Sequence, residues 1–319
     1  MSGKTQKWVW LLNLPSSDYC ILDWSILMNK RIRNRDRIFA VALVLALVIM
    51  ACGINLPVTQ IKTGPTQTVD IQVPMPAEGS TGVELNLEFL AGELKLAPGA
   101  SGNLASGKAT FNAVDFEPKV DSSGSSYTLR MGKQKIEGVP NFQGDIKNAW
   151  DLHLANKPMS LNIKAGAYNG NFELGGLSLE KLAISEGGSD LTSTFSAPNN
   201  VVMSSFTFST GGSTMLLKGL ANANFEQMNF KSGAGDYTLS FDGNLQRNAS
   251  VTIESGASTV NIIVPEGTNA HVNFDGGLTS VNAGSGWSQN GNVYTLSGSS
   301  PTITITVKMG VGTLNLKTE

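Results

Sequence analysis

The 319-residue chain is short of the residues that most site chemistry needs: two cysteines, two histidines, 15% charged residues and 7% aromatics. Two cysteines, Cys20 and Cys52, are too few for a disulfide framework. The two histidines, His153 and His271, each sit inside an alternating stretch. This inventory builds neither a zinc site nor a cysteine nucleophile, so no metal and no non-covalent cofactor is expected. Basic patches are missing too. Of 23 Lys and Arg, seven lie in residues 1–51, and of 25 Asp and Glu, three do, so residues 52–319 carry 16 basic against 22 acidic residues. A net charge near −6 repels a phosphate backbone, which excludes nucleic acid as a partner.

Motifs for catalysis are absent or broken. Gly102-Asn-Leu-Ala-Ser-Gly107-Lys108 has the glycines and lysine of a phosphate loop, but Ala109 replaces the magnesium-binding hydroxyl and a strand-like run follows where a helix is needed. Gly187-Gly-Ser189-Asp190 offers a serine beside an acid with no histidine near in sequence, and reads as a polar turn. A calcium-binding β-roll would need a carboxylate in the same place on successive turns, where this chain has Asp190, Thr214, Asp236, Thr259 and Thr313. No catalytic residue is expected and the chain is not read as an enzyme. A β-helix polysaccharide lyase or hydrolase is the least favoured reading, because the repeats are charge-poor.

What the chain does have begins with an address. Lys30, Arg31, Arg33, Arg35 and Arg37 precede an apolar run over 38–51 that is too short for the ~20 residues of a spanning helix and suits a signal peptide. The run ends Ile49-Met50-Ala51-Cys52, a lipobox layout. Cleavage is expected between Ala51 and Cys52, with the Cys52 thiol carrying a covalent lipid. Two or three acyl chains at ~0.8 kcal/mol per buried methylene would hold the protein on the extracytoplasmic face of the cell membrane. The expected organisation is a leader over 1–27 that precedes the better start at Met28, a lipoprotein signal over 28–51, a Pro/Thr-rich spacer over 52–80, an N-terminal β section over 81–155 and a repeat region over 156–319.

The repeat is visible from Leu161 onward: two apolar residues in alternation, then a glycine corner, then a second alternation. The units are Leu161-Asn-Ile-Lys-Ala-Gly166, Leu182-Ala-Ile-Ser-Glu-Gly187, Phe206-Thr-Phe-Ser-Thr-Gly211, Met228-Asn-Phe-Lys-Ser-Gly233, Val251-Thr-Ile-Glu-Ser-Gly256, Val272-Asn-Phe-Asp-Gly276 and Ile305-Thr-Val-Lys-Met-Gly310. A period of a little over 20 residues is that of a solenoid, in which no unit buries its apolar face alone. The expected fold is all-β, a two-sheet β-solenoid of short Gly-cornered repeats with an N-terminal β section. Corner glycines at φ > 0 are expected, with Phe206, Phe230 and Ile253 along one buried column. A hairpin around Asn290-Gly291 would cover the far end.

The stretch Leu85-Asn-Leu-Glu-Phe-Leu-Ala-Gly92-Glu-Leu-Lys-Leu, the segment Trp150-Asp-Leu-His-Leu and the closing Gly310-Val-Gly-Thr-Leu-Asn-Leu316 resemble the toast-rack family. That family is related to adhesin-type β-strand repeats and to the C-terminal domain of LiaF-like proteins. The resemblance implies a two-sheet β-solenoid, association with the cell envelope and no catalytic residue. The function expected is a membrane-anchored lipoprotein with a non-catalytic binding or scaffold module, in envelope stress or adhesion. Its partners would be membrane lipid through the acyl chains, and envelope proteins or glycans. The alternative is a carbohydrate-binding lipoprotein, stacking sugars on Trp287 and Tyr294, with Tyr168 beside them.

Overall fold

Each repeat folds as one long strand that doubles over at its glycine. In β12 (Gln227–Ser240) the rings of Phe230 and Tyr237 lie 5.1 Å apart, although seven residues of straight strand would separate them by about 23 Å. The computed structural model describes residues 58–132, 139–143 and 146–319, all within the unit Pro57–Glu319. The expected signal, its cleavage point and Cys52 lie outside the described residues.

Six further doubled strands share this build: β3 (Glu84–Pro98), β9 (Met159–Glu173), β10 (Leu179–Thr194), β11 (Ser205–Lys218), β13 (Ala249–Val264) and β14 (Thr268–Ala283). An eighth, β17 (Ser299–Thr318), closes the chain. They stack in parallel in the order β3-β9-β10-β11-β12-β13-β17-β14. First halves form one layer and second halves the other. Residue 84 therefore already opens the stack, so β3 is a full rung.

The N-terminal strands extend both layers. β5 (Pro118–Ser123) and β6 (Ser126–Met131) continue the first layer beyond β3, and a single 3₁₀ turn, Val114–Phe116, precedes them. β8 (Asn148–Leu154), β4 (Asn103–Phe111) and β2 (Gln67–Pro74) continue the second. Inside the stretch expected to be a spacer, β2 thus pairs with β4 and buries Ile71 and Val73. β1 (Val58–Lys62) and β7 (Val139–Gln143) form a separate parallel pair.

Stacking lines up equivalent residues. One inner column runs Leu161, Leu182, Phe206, Met228, Val251 and Ile305, and the next runs Ile163, Ile184, Phe208, Phe230, Ile253 and Val307. Phe230 and Ile253 therefore share a column as expected, but their aromatic neighbour is Phe208, and Phe206 lies one column over. The second layer contributes Leu191, Met215, Tyr237, Val260 and Leu314 in one column. All of these side chains are buried, so each rung seals its neighbours' apolar faces.

The corner glycines are needed for a reason other than the expected one. Positive φ occurs at Gly92, Gly235 and Gly312, but not at Gly166, Gly187, Gly211, Gly233, Gly256 or Gly310. Instead, each of these last six presses against the carbonyl of the rung before it. A Cβ on Gly187 would lie 3.1 Å from the Gly166 oxygen, one on Gly211 2.6 Å from the Gly187 oxygen, and one on Gly310 2.8 Å from the Gly256 oxygen. The column is fixed by close backbone approach, not by left-handed backbone.

The far end departs from chain order. β17 enters between β13 and β14, leaving β14 outermost. The expected hairpin, β15 (Trp287–Asn290) and β16 (Val293–Leu296), turns at Gly291 with φ +60°, and β16 pairs antiparallel with Ala270–Asn273 of β14. Trp287 packs against the core, while Tyr294 and Leu296 are buried in it. The hairpin covers the first layer only.

Candidate functional site

The fourth residue of each repeat unit, one step past the second apolar residue, points outward. Register therefore assembles these residues into a single row: Arg130, Glu88, Lys164, Ser185, Ser209, Lys231, Glu254, Lys308 and Asp275. Charges alternate in sign on both sides of the two serines. Lys231 lies 3.2 Å and Lys308 3.9 Å from opposite oxygens of the Glu254 carboxylate, and Lys164 lies 4.0 Å from Glu88. Arg130 bonds Asp121 at 2.6 Å. The lysines are largely exposed and Glu254 partly so, so each lysine–glutamate pair contributes ~0–1 kcal/mol to stability.

The row agrees with the strand order. In chain order Glu254 would stand directly beside Asp275, two carboxylates on adjacent rungs. With β17 inserted, Lys308 stands between them. Opposite charges on facing strands stabilise and like charges destabilise. Written out, the unit sequences carry this signal at their fourth positions, but only once the strand order is known.

Beside the row, the glycine corner leaves a furrow. Without Cβ atoms the corner is thin, and a shallow groove of about 770 Å³ runs from Ser185 and Glu186 to Asp275 and Gly277. Its floor includes Gly256, Gly277 and Gly310, and its sides include Lys231, Glu254 and Lys308. No aromatic side chain lines it.

At one end of the furrow a carboxylate is buried among hydroxyls. Glu186 is only 7% exposed. It accepts hydrogen bonds from Tyr168 at 2.6 Å, Ser189 at 2.6 Å and Ser213 at 2.7 Å, and Ser213 is 2.6 Å from Thr210. Burial, then the Glu186 charge, pushes the Tyr168 hydroxyl far above the usual phenol range. Burial likewise raises Tyr237. Two rungs on, Ser255 Oγ lies 2.8 Å from Ser232 and 2.6 Å from Ser258. A seam of hydroxyls thus lines the inside of the corner, satisfying groups that would be costly to bury alone.

A second groove of about 480 Å³ lies on the outer face of the second layer, among Glu93, Lys95, Lys108, Asp151 and His153. Lys108, the lysine of the broken phosphate-loop motif, lies inside strand β4 and bonds Asp70 at 3.1 Å. Ser189, of the serine-acid turn, is the Glu186 donor described above.

Trp287, Tyr294 and Tyr168 are packed inward, Tyr294 being 6% exposed, and none of them lines either groove. Register does align Asp190, Thr214, Asp236, Thr259 and Thr313 in one row. Among the described residues no cluster of three His, Cys, Asp or Glu is placed to hold a metal, and no helix is long and apolar enough to cross a membrane. Sequence reasoning missed the charge row and the Glu186 network. The row was written in the units, whereas the network joins residues from three rungs and has no local signature.

No curated protein matches the sequence. A candidate cell adhesion protein from Clostridium sporogenes is 19% identical, with 80% of this chain and 100% of that one covered and a TM-score of 0.45. A candidate adhesin from Bacteroides fragilis is 12% identical, covering 81% and 99% at a TM-score of 0.38. A candidate lipid binding protein from Parabacteroides distasonis is 8% identical, covering 82% and 99% at 0.41. Residues 62–202, from the first strands through β10, match the family model described as the N-terminal domain of toast_rack.

Proposed function

We propose that this protein is a non-catalytic binding module of the cell envelope, tethered outside the membrane by a lipid on Cys52 and holding an extended polar ligand in its corner furrow. The observation that carries this reading is the row of alternating charges beside the glycine floor. Successive rungs lie about 4.8 Å apart, so Lys231, Glu254 and Lys308 offer charges at regular intervals over about 10 Å. A polymer of envelope protein or glycan carrying charges along its length matches such a surface better than a compact small molecule. Envelope adhesion or stress sensing are the settings such a module serves. The anchor reading rests on the residues Ile49 to Cys52.

Two measurements test this. Binding of the full-length protein to purified envelope fractions should fall at least tenfold in the double variant Lys231→Glu/Lys308→Glu, and should weaken with salt. Undiminished binding overturns the furrow. For the anchor, mass spectrometry of the membrane-fraction protein should find acyl chains on Cys52, and Cys52→Ala should release the protein from membranes. An unmodified Cys52 overturns it.

A further inference from the structure

Among the described residues, one sheet edge is unguarded. The first layer ends in the hairpin at one side, and in β5 at the other, where Pro118, Lys119 and Asp121 discourage pairing. The second layer begins at β2, which carries Asp70 and ends in Pro74. Its opposite end is the second half of β14, Leu278-Thr-Ser-Val-Asn-Ala283, with neither charge nor proline. Among the described residues no strand pairs with its outer side, since the β16 contact stops at Asn273. Leu278 is 82% exposed.

The hydrogen-bonding side of this edge follows from one contact. Gly284 donates its N–H to the Leu316 carbonyl of β17 at 2.8 Å. Backbone groups alternate sides along a strand, so Asn282 and Ser280 also face β17. Thr279, Val281 and Ala283 turn their N–H and C=O groups outward. Two independent observations mark the same end. The Thr279 hydroxyl and the Trp287 indole nitrogen are buried with no partner. On the outer face, a directed amide ladder runs from Asn282 to Asn315 at 2.9 Å and on to Asn261 at 2.9 Å. Its last acceptor, the Asn282 Oδ1, is at the edge.

We infer that this edge takes up an extended peptide segment of another protein as an added strand, independently of the furrow. Backbone bonds to Thr279, Val281 and Ala283 would hold it. An apolar side chain would lie beside Val281, and an Asn or Gln would donate to Asn282. A single strand fits better than a second copy for two reasons. Six residues of edge offer far less than the ~1,200 Å² of a stable protein interface. The hairpin also carries the first layer two strands past β14, so the two layers do not end flush as a face for a second copy.

The strand that already covers the inner side of β14 supplies a probe, a peptide copying residues 310–317, Gly-Val-Gly-Thr-Leu-Asn-Leu-Lys. Added to the full-length protein, it should slow hydrogen exchange at Thr279, Val281 and Ala283 at least tenfold, leaving Ser280 and Asn282 as they were. N-methylation of one alternate set of peptide residues should abolish this, and of the other set should not. Val281→Pro removes an outward N–H and should weaken binding at least tenfold. Absence of edge protection at millimolar peptide, or equal loss with both methylated sets, overturns the inference whatever the variant does. Protection that grows with protein concentration without peptide overturns it in favour of a second copy.

Discussion

The stack from β9 to β13 and its far end from β14 to β17 are built from the same repeat unit, yet they obey different rules. In the regular part, chain order and spatial order agree. At the far end β17 passes inside β14. The first-layer column does not distinguish the two arrangements, since Val272 and Ile305 each fit it. The second layer does, because the buried Leu314 and Leu316 of β17 lie inside Val281 and Ala283 of β14, and the outward charges agree, since Lys308 between Glu254 and Asp275 is favourable and Asp275 beside Glu254 is not. The repeat pattern fixes what a rung is, and the sparse surface charges help decide where it goes.

The comparison can be broken first in the regular part. Glu186→Ala would leave Tyr168, Ser189 and Ser213 without their acceptor and should destabilise by roughly 3 kcal/mol, the cost of losing charge-assisted bonds to buried hydroxyls. Denaturant unfolding checks this, with Tyr168→Phe expected to cost about half as much.

Next are the corner glycines. Gly211→Ala, whose Cβ would sit 2.6 Å from a backbone oxygen, should cost ~1–3 kcal/mol, and Gly187→Ala, at 3.1 Å, should cost clearly less. Equal losses would mean that close approach does not govern the column.

An alkaline limb should accompany the buried tyrosine. Tyr168 keeps its proton in the folded protein, whereas the unfolded phenol ionises near 10. Its contribution to stability is therefore full below pH 10 and declines above it by up to about 1.4 kcal/mol per pH unit. Tyr168→Phe should flatten that decline in a series of unfolding curves at rising pH.

A smaller change sharpens the picture in the opposite direction. Ser193 lies in an apolar column between Phe172 and Leu217, with its hydroxyl buried and unpartnered. Ser193→Ala should raise stability by about 1 kcal/mol, read as an upward shift in melting temperature.

Much of this fold was legible because alternation and glycine spacing are local. The units from Leu161 to Gly310, the hairpin at Gly291 and the rung-like segment at Leu85 all follow from period-two burial. Corner geometry was not legible. A glycine excluded by a neighbouring carbonyl and one needed for positive φ look alike in sequence, and only the stacked backbone separates Gly211 from Gly235. Glu186 was likewise hidden: alternation puts it on the inward side with Leu182 and Ile184, but nothing local names the hydroxyls that let an acid be buried there. Here Tyr168, from the preceding rung, and Ser213, from the following one, close over it. The Pro-rich stretch reads as a spacer, yet the alternation of Val69, Ile71 and Val73 within it marks the strand β2, with the prolines at or beyond its ends.

The rung order is tested most directly by cysteine pairing. Facing residues on adjacent rungs lie within the ~4.4–6.8 Å between Cα atoms that a disulfide spans, whereas residues two rungs apart, at about 9.6 Å, do not. Under mild oxidation the variant Glu254→Cys/Lys308→Cys should form an intramolecular disulfide, identified by mass spectrometry of the linked peptides, and Glu254→Cys/Asp275→Cys should not. A linkage between positions 254 and 275 with none between 254 and 308 would contradict the stacking described above.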